Sequence, residues 1–175
     1  MNTDFNQAFL ELQADSQPVY LTCGKVEAWM LLTPIQMASK HPEIKNSSLI
    51  KCAARCGRAI QTLIADDNEI LISIAESAWE NKKPKYSLQK FSTEMEKLKD
   101  EGIKISLTKF ECWCLVVAGQ VAARHTDYKN SQLAEKNKEL FEQLQSVIPQ
   151  GLLSSYLKTG WDTRFDQSID RKGFG

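Results

Sequence analysis

Residues 25–49 and 109–133 align without a gap, KVEAWMLLTPIQMASKHPEIKNSSL over KFECWCLVVAGQVAARHTDYKNSQL, and eleven positions coincide. Among them are Glu27/Glu111, Trp29/Trp113, Gln36/Gln120, His41/His125 and Leu49/Leu133. Shared composition alone does not produce that much identity, so the chain reads as one unit written twice. The likeness extends upstream, where Phe5, Phe9 and Leu12 match Phe91, Met95 and Leu98. It also extends downstream, where IQTLI (60–64) lies over LQSVI (144–148) and Trp79 over Trp161. The expected organisation is therefore a first unit over 1–84, a second over 85–162, and a polar tail over 163–175.

The repeat constrains the fold through its hydrophobic period. Phe5, Phe9 and Leu12 fall at i, i+4, i+7, the stripe of a short amphipathic helix, as do their counterparts. The segments 25–40 and 109–124 are apolar nearly all round, which is the pattern of a buried helix. Thr108 and Glu111 have the spacing of a capping box at the start of the second copy. A third element is expected over 47–65 and 131–148, with Asn46 or Ser47 and Asn130 or Ser131 as N-caps. A fourth, shorter helix carries Leu71, Ile74, Ala78 and Trp79, echoed by Leu153, Leu157 and Trp161. The only run resembling a strand, KISL (104–107), is too short to set against this pattern. The expectation is an all-α fold: two pseudo-equivalent units of roughly four helices sharing a core, joined by the basic linker ENKKPKYS (80–87).

Composition narrows the function. The 175 residues are 42% hydrophobic and 25% charged, with 22 basic and 22 acidic side chains, the profile of an ordinary globular protein. Zero net charge argues against a protein that coats nucleic acid or anionic membrane through bulk charge. No apolar run reaches bilayer-spanning length, and the N-terminus is acidic without a signal-peptide core. Five cysteines, an odd number, fit poorly with a secreted disulfide framework. The chain is expected to be cytoplasmic, with no membrane partner.

Cys52 and Cys56 at i, i+4, together with Cys112 and Cys114, have the number of thiolates zinc requires. The alignment opposes that reading, because Cys23, Cys56, Cys112 and Cys114 stand where the other copy has Leu107, Leu140, Ala28 and Met30. They read as small buried hydrophobes, and no metal or cofactor site is expected. Cys52, opposite Lys136, is the exception. Gln36, His41, Gln120 and His125 are the candidate ligand residues, with Glu27 and Glu111 as neighbouring carboxylates. For the histidines, placement at helix C-termini accounts for the same residues. Lys45-Asn46-Ser47 and Lys129-Asn130-Ser131 are read as N-caps with a solvated lysine rather than anion-binding loops. No nucleophile is spaced to meet a base, so no catalytic site is identified.

The sharpest signal is a difference between the copies. Lys51, Arg55 and Arg58 form one stripe of the third helix, and their counterparts are Glu135, Glu139 and Glu142. Antiparallel pairing would set Lys51 against Glu142, Arg55 against Glu139 and Arg58 against Glu135, within one chain or between two. These six residues are the expected partner-binding set. The leading functional expectation is a helical interaction module, an adaptor or regulator whose partner is itself or another protein. Nucleic-acid binding through Lys51, Arg55 and Arg58, aided by Lys82, Lys83 and Lys85, is the alternative. A small-ligand binder or enzyme around His41 and His125 is the third.

Overall fold

The computed structural model describes residues 3–40, 46–80, 82–122 and 132–149. Among these residues the chain is mostly helical, with one small sheet. The order is α1 (Thr3–Ala14), β1 (Val19–Gly24), α2 (Lys25–Lys40), α3 (Ser48–Ala65), α4 (Glu69–Glu80), α5 (Leu88–Lys97), β2 (Gly102–Leu107), α6 (Lys109–Ala122) and α7 (Gln132–Gln145). His41, His125 and the segment holding Leu153, Leu157 and Trp161 lie outside the described residues.

The sheet corrects the all-helical expectation. β1 and β2 pair antiparallel, from Val19 opposite Leu107 to Gly24 opposite Gly102, with Leu21 facing Ile105 at the middle. Alternation supplies the reason: Leu21, Ile105 and Leu107 are buried, while Tyr20, Thr22, Lys104 and Ser106 are exposed. Each strand has three apolar residues on its inward face and could not bury them alone. Paired and laid against the helices, they close one side of the core. On the outer face the Lys104 ammonium lies 4.3 Å from the Tyr20 ring centroid.

The core is a single hydrophobic cluster that draws on α1 through α7. α2 and α6, the two helices apolar on nearly every side, pack against each other at its centre. α3 packs on both of them, and so does α7, but α3 and α7 are not a principal packed pair; they flank the central pair. α1 reaches α6 through an edge-to-face contact of Phe9 with Trp113 at 5.3 Å. α5 reaches α2 through Phe91 against Trp29 at 5.9 Å.

The helix ends follow local chemistry. The Thr108 N–H donates to Glu111 Oε1 at 2.8 Å and the Glu111 N–H to Thr108 Oγ1 at 3.1 Å, the reciprocal capping box the sequence predicts. Ser47 occupies the N-cap of α3 but makes no side-chain cap bond. α3 ends at Asp66, whose φ of 52° turns the chain. Asn68 then starts α4 by accepting from the N–H groups of Ile70 and Leu71, and its amide donates to Glu94 of α5 at 2.8 Å.

Pro34 sits inside α2 and has no N–H to give to the carbonyl of Met30, one turn earlier. Asn137, buried in α7, donates its Nδ2 to that Met30 oxygen at 3.1 Å. A polar side chain of one helix thus completes the hydrogen bonding of another.

Close packing is also set by two glycines. A Cβ on Gly119 of α6 would lie 2.4 Å from the Phe141 ring of α7, and one on Gly57 of α3 would lie 2.9 Å from the Trp79 ring and 3.6 Å from Ile35.

Candidate functional site

α3 is strongly amphipathic, and its geometry decides what faces water. Ile50, Ala53, Cys56, Gly57, Ile60 and Ile64 turn inward. Lys51, Arg55 and Arg58 lie on one exposed stripe, as their spacing requires. Because Gly57 has no side chain, the indole of Trp79 from α4 lies directly on α3. The Trp79 Nε1–H donates to Oε1 of Gln61, which is buried and so holds the ring in place. The Arg58 guanidinium stands 5.5 Å from the indole centroid, a stacking contact that orients it.

The result is an open cleft of about 340 Å³ walled by Lys51, Arg55, Arg58, Trp79 and Ser39. A second cleft, of about 460 Å³, shares Arg58 and Trp79 and continues past Gln61 toward Glu76 and Glu80. Three cations beside an aromatic plane and a hydroxyl make a surface suited to carboxylates or phosphates.

The acidic counterparts take the matching place on α7. Glu135, Glu139 and Glu142 are exposed, and none of the six charged residues joins an ion pair among the described residues. The within-chain form of the predicted pairing is therefore not made. Its physical reason is the packing: α3 and α7 each pack on the α2–α6 pair and do not form a principal packed pair with each other.

Gln36 and Gln120 are half-buried on α2 and α6. The carboxylate expected beside each is elsewhere. Nine residues separate Glu27 from Gln36, which along a helix is about 13 Å. Glu27 lies exposed in the first turn of α2, and Glu111 is engaged in its capping box. The grouping of Gln36 with Glu27, and of Gln120 with Glu111, is not formed.

The structure buries four of the cysteines where the alignment reads three of them, Cys56, Cys112 and Cys114, as small hydrophobes and sets Cys52 apart. Cys52 and Cys56 of α3 and Cys114 of α6 are all buried, on two helices that pack against each other. Cys56 Sγ donates to Glu111 Oε2 at 3.3 Å. Cys114 first, with the adjacent Arg55, holds the Cys52 thiol below the ordinary range, against the opposing effect of burial. Cys56 and Cys114 are pushed the other way, by Cys52 first and by burial second. Burial raises Cys112 to about 12 and Cys23 to about 11. Cys112 and Cys114, two residues apart on α6, face different directions.

Among the described residues no group of three or more histidine, cysteine or acidic side chains is arranged to hold a metal ion, and no helix is long and apolar enough to cross a membrane. No family model matches the chain, and no curated protein or solved structure is significantly similar to it.

Proposed function

We propose that this protein is a helical interaction module, built from a duplicated unit, whose docking face is the cationic cleft on α3 and whose partner presents an acidic protein surface. The observation that carries the reading is the exposed Lys51–Arg55–Arg58 stripe, which lines a cleft with Trp79 and joins no ion pair among the described residues. Charge supplies register and encounter rate, since each exposed pair contributes only about 0–1 kcal/mol. The indole and the apolar cleft wall supply the burial that charge does not.

Duplication is supported by contacts that exchange between equivalent positions. Leu21 faces Ile105, eighty-four residues on, at the centre of the sheet. Phe9 meets Trp113 and Phe91 meets Trp29, so the first helix of each proposed unit touches the second of the other, although Phe9 and Phe91 are not aligned positions. Ile35 beside Gly57 is mirrored by Gly119 beside Phe141, with large and small residues interchanged. On this reading the two third helices have diverged into a basic and an acidic face, and a second copy is one partner with the required charge.

The test is sedimentation velocity at low and near-physiological salt on the wild type, K51E/R55E/R58E, E135K/E139K/E142K, and an equimolar mixture of the two variants. Salt-sensitive association of the mixture, with neither variant associating alone, identifies a second copy as partner. If the wild type stays monomeric, anisotropy with a labelled acidic helical peptide tests a foreign protein surface. Cations beside an aromatic plane also suit nucleic acid. Salt-sensitive binding of a mixed-sequence duplex that is lost in K51E/R55E/R58E, without peptide binding, would replace the protein reading with that one.

A further inference from the structure

The cleft of about 460 Å³ between α3 and α4 differs in chemistry from the cationic cleft beside it. Gln61 lines it and is only 3% exposed. The indole N–H of Trp79 can only donate, so the Gln61 amide must turn its oxygen to the ring, as it does. The amide nitrogen is left with both its N–H donors, and among the described residues it makes no hydrogen bond. A buried amide in that state calls for an acceptor.

The rest of the lining narrows which acceptor. Arg58, one turn before Gln61 on the same face of α3, adds a guanidinium, so two donor groups are neighbours in the cleft. The opposite charge is also present. Glu76 of α4 and Asp66 of the turn line the cleft, are exposed, and join no ion pair among the described residues. Glu80, also in the lining, pairs with Lys82 at 2.7 Å. Ala65, Ile72 and Ala75 supply an apolar wall. A phosphate or a simple carboxylate would meet three acidic side chains here, and a simple cation would leave Gln61 and Arg58 without an acceptor. A compact ligand that carries both charges on an apolar body satisfies every wall.

We infer that this cleft binds a free α-amino acid with an apolar side chain. The ligand carboxylate accepts from the Gln61 amide and the Arg58 guanidinium, which the Trp79 ring holds at 5.5 Å. The ligand ammonium meets the Glu76 carboxylate. The side chain lies against Ala65, Ile72 and Ala75, and the volume, within the range of about 300–1,000 Å³ of small-molecule sites, admits leucine or phenylalanine. Both charges are required, so the residue at the end of a peptide, which keeps only one of them, is a poorer ligand. The site stands on the lining of this cleft and does not depend on what docks against Lys51 and Arg55.

The test is isothermal titration calorimetry of the full chain with L-leucine, L-phenylalanine, N-acetyl-L-leucine and L-leucinamide. The expected result is saturable binding of leucine or phenylalanine with a Kd of roughly 10 μM to 1 mM. N-acetyl-leucine, which lacks the ammonium, and leucinamide, which lacks the carboxylate, should each bind at least about tenfold more weakly than leucine, the scale of a hydrogen bond to a charged group. Gln61→Glu keeps an oxygen for the Trp79 N–H and replaces the two donors by an acceptor, so it should weaken binding by at least about tenfold. Glu76→Gln, at an exposed position that the fold does not need, should weaken it by roughly fivefold, the upper end for an exposed ion pair. No saturable heat with either amino acid up to about 10 mM would overturn the inference. So would leucinamide or N-acetyl-leucine binding as tightly as leucine, or wild-type affinity in both variants. The wild-type ligand series decides the matter even if Gln61→Glu fails to fold.

Discussion

The hydrogen bond from Asn137 to Met30 makes a prediction that separates a specific compensation from generic packing. Pro34 cannot donate to the carbonyl of Met30, and Asn137 does so from α7 at 3.1 Å. Asn137→Ala removes that donor from a site 1% exposed and leaves the carbonyl without it in the core. A buried polar group that loses its partner costs about 1–3 kcal/mol, to which the space left by the amide adds. Pro34→Ala changes the problem at its source, because an alanine N–H at position 34 can donate to Met30 along the helix. Asn137→Ala should then cost less by about 1–2 kcal/mol in the Pro34→Ala background than in the wild type. The assay is a double-mutant cycle by urea unfolding, followed by circular dichroism and by fluorescence of the four tryptophans, with the m-value compared across all four proteins. Equal costs in the two backgrounds, with coupling under about 0.5 kcal/mol, would refute the compensation. The aligned positions in the other unit, Ala118 and Ala53, already have the composition of the double variant.

Gly119→Ala forces a Cβ to 2.4 Å from the Phe141 ring and should lower stability by about 1–3 kcal/mol, with part of the loss recovered by adding Phe141→Leu; urea titration measures both. Asn68→Ala removes the α4 cap and the link to Glu94 together, at about 1–2 kcal/mol, whereas Asn68→Asp keeps the cap but sets like charges together at Glu94, so its deficit should shrink at low pH as the carboxylates protonate. Glu111→Ala breaks the capping box at about 1 kcal/mol and frees Cys56 from its carboxylate acceptor; thermal unfolding and thiol alkylation rates read the two effects separately.

The elements that periodicity could see are those whose burial is decided within one helix. The segments 25–40 and 109–122 are apolar all round because each is surrounded, and the stripe of α3 is legible because one face of it is solvated. The strands were not legible in the same way. VYLTCG and GIKISL both alternate, but six residues of alternation are weak evidence, and what makes them strands is a partner eighty-odd residues away and a layer of helices behind. The same holds for the chemistry. Lys51, Arg55 and Arg58 were found because all three lie on one helix, while the role of Trp79 depends on the absence of a side chain at Gly57, a fact about contact rather than spacing. Alignment of the two copies classified the cysteines by what replaces them, and so treated each alone. It had no means of bringing Cys114 of α6 to Cys52 of α3, although it did mark Cys52 as the one cysteine not opposite an apolar residue. Pairwise features of this kind include Pro34 with Asn137 and Gly119 with Phe141. On the proposed duplication, a substitution in one helix is accommodated by its contact partner rather than repeated in its counterpart, as with Ile35 beside Gly57 and Gly119 beside Phe141.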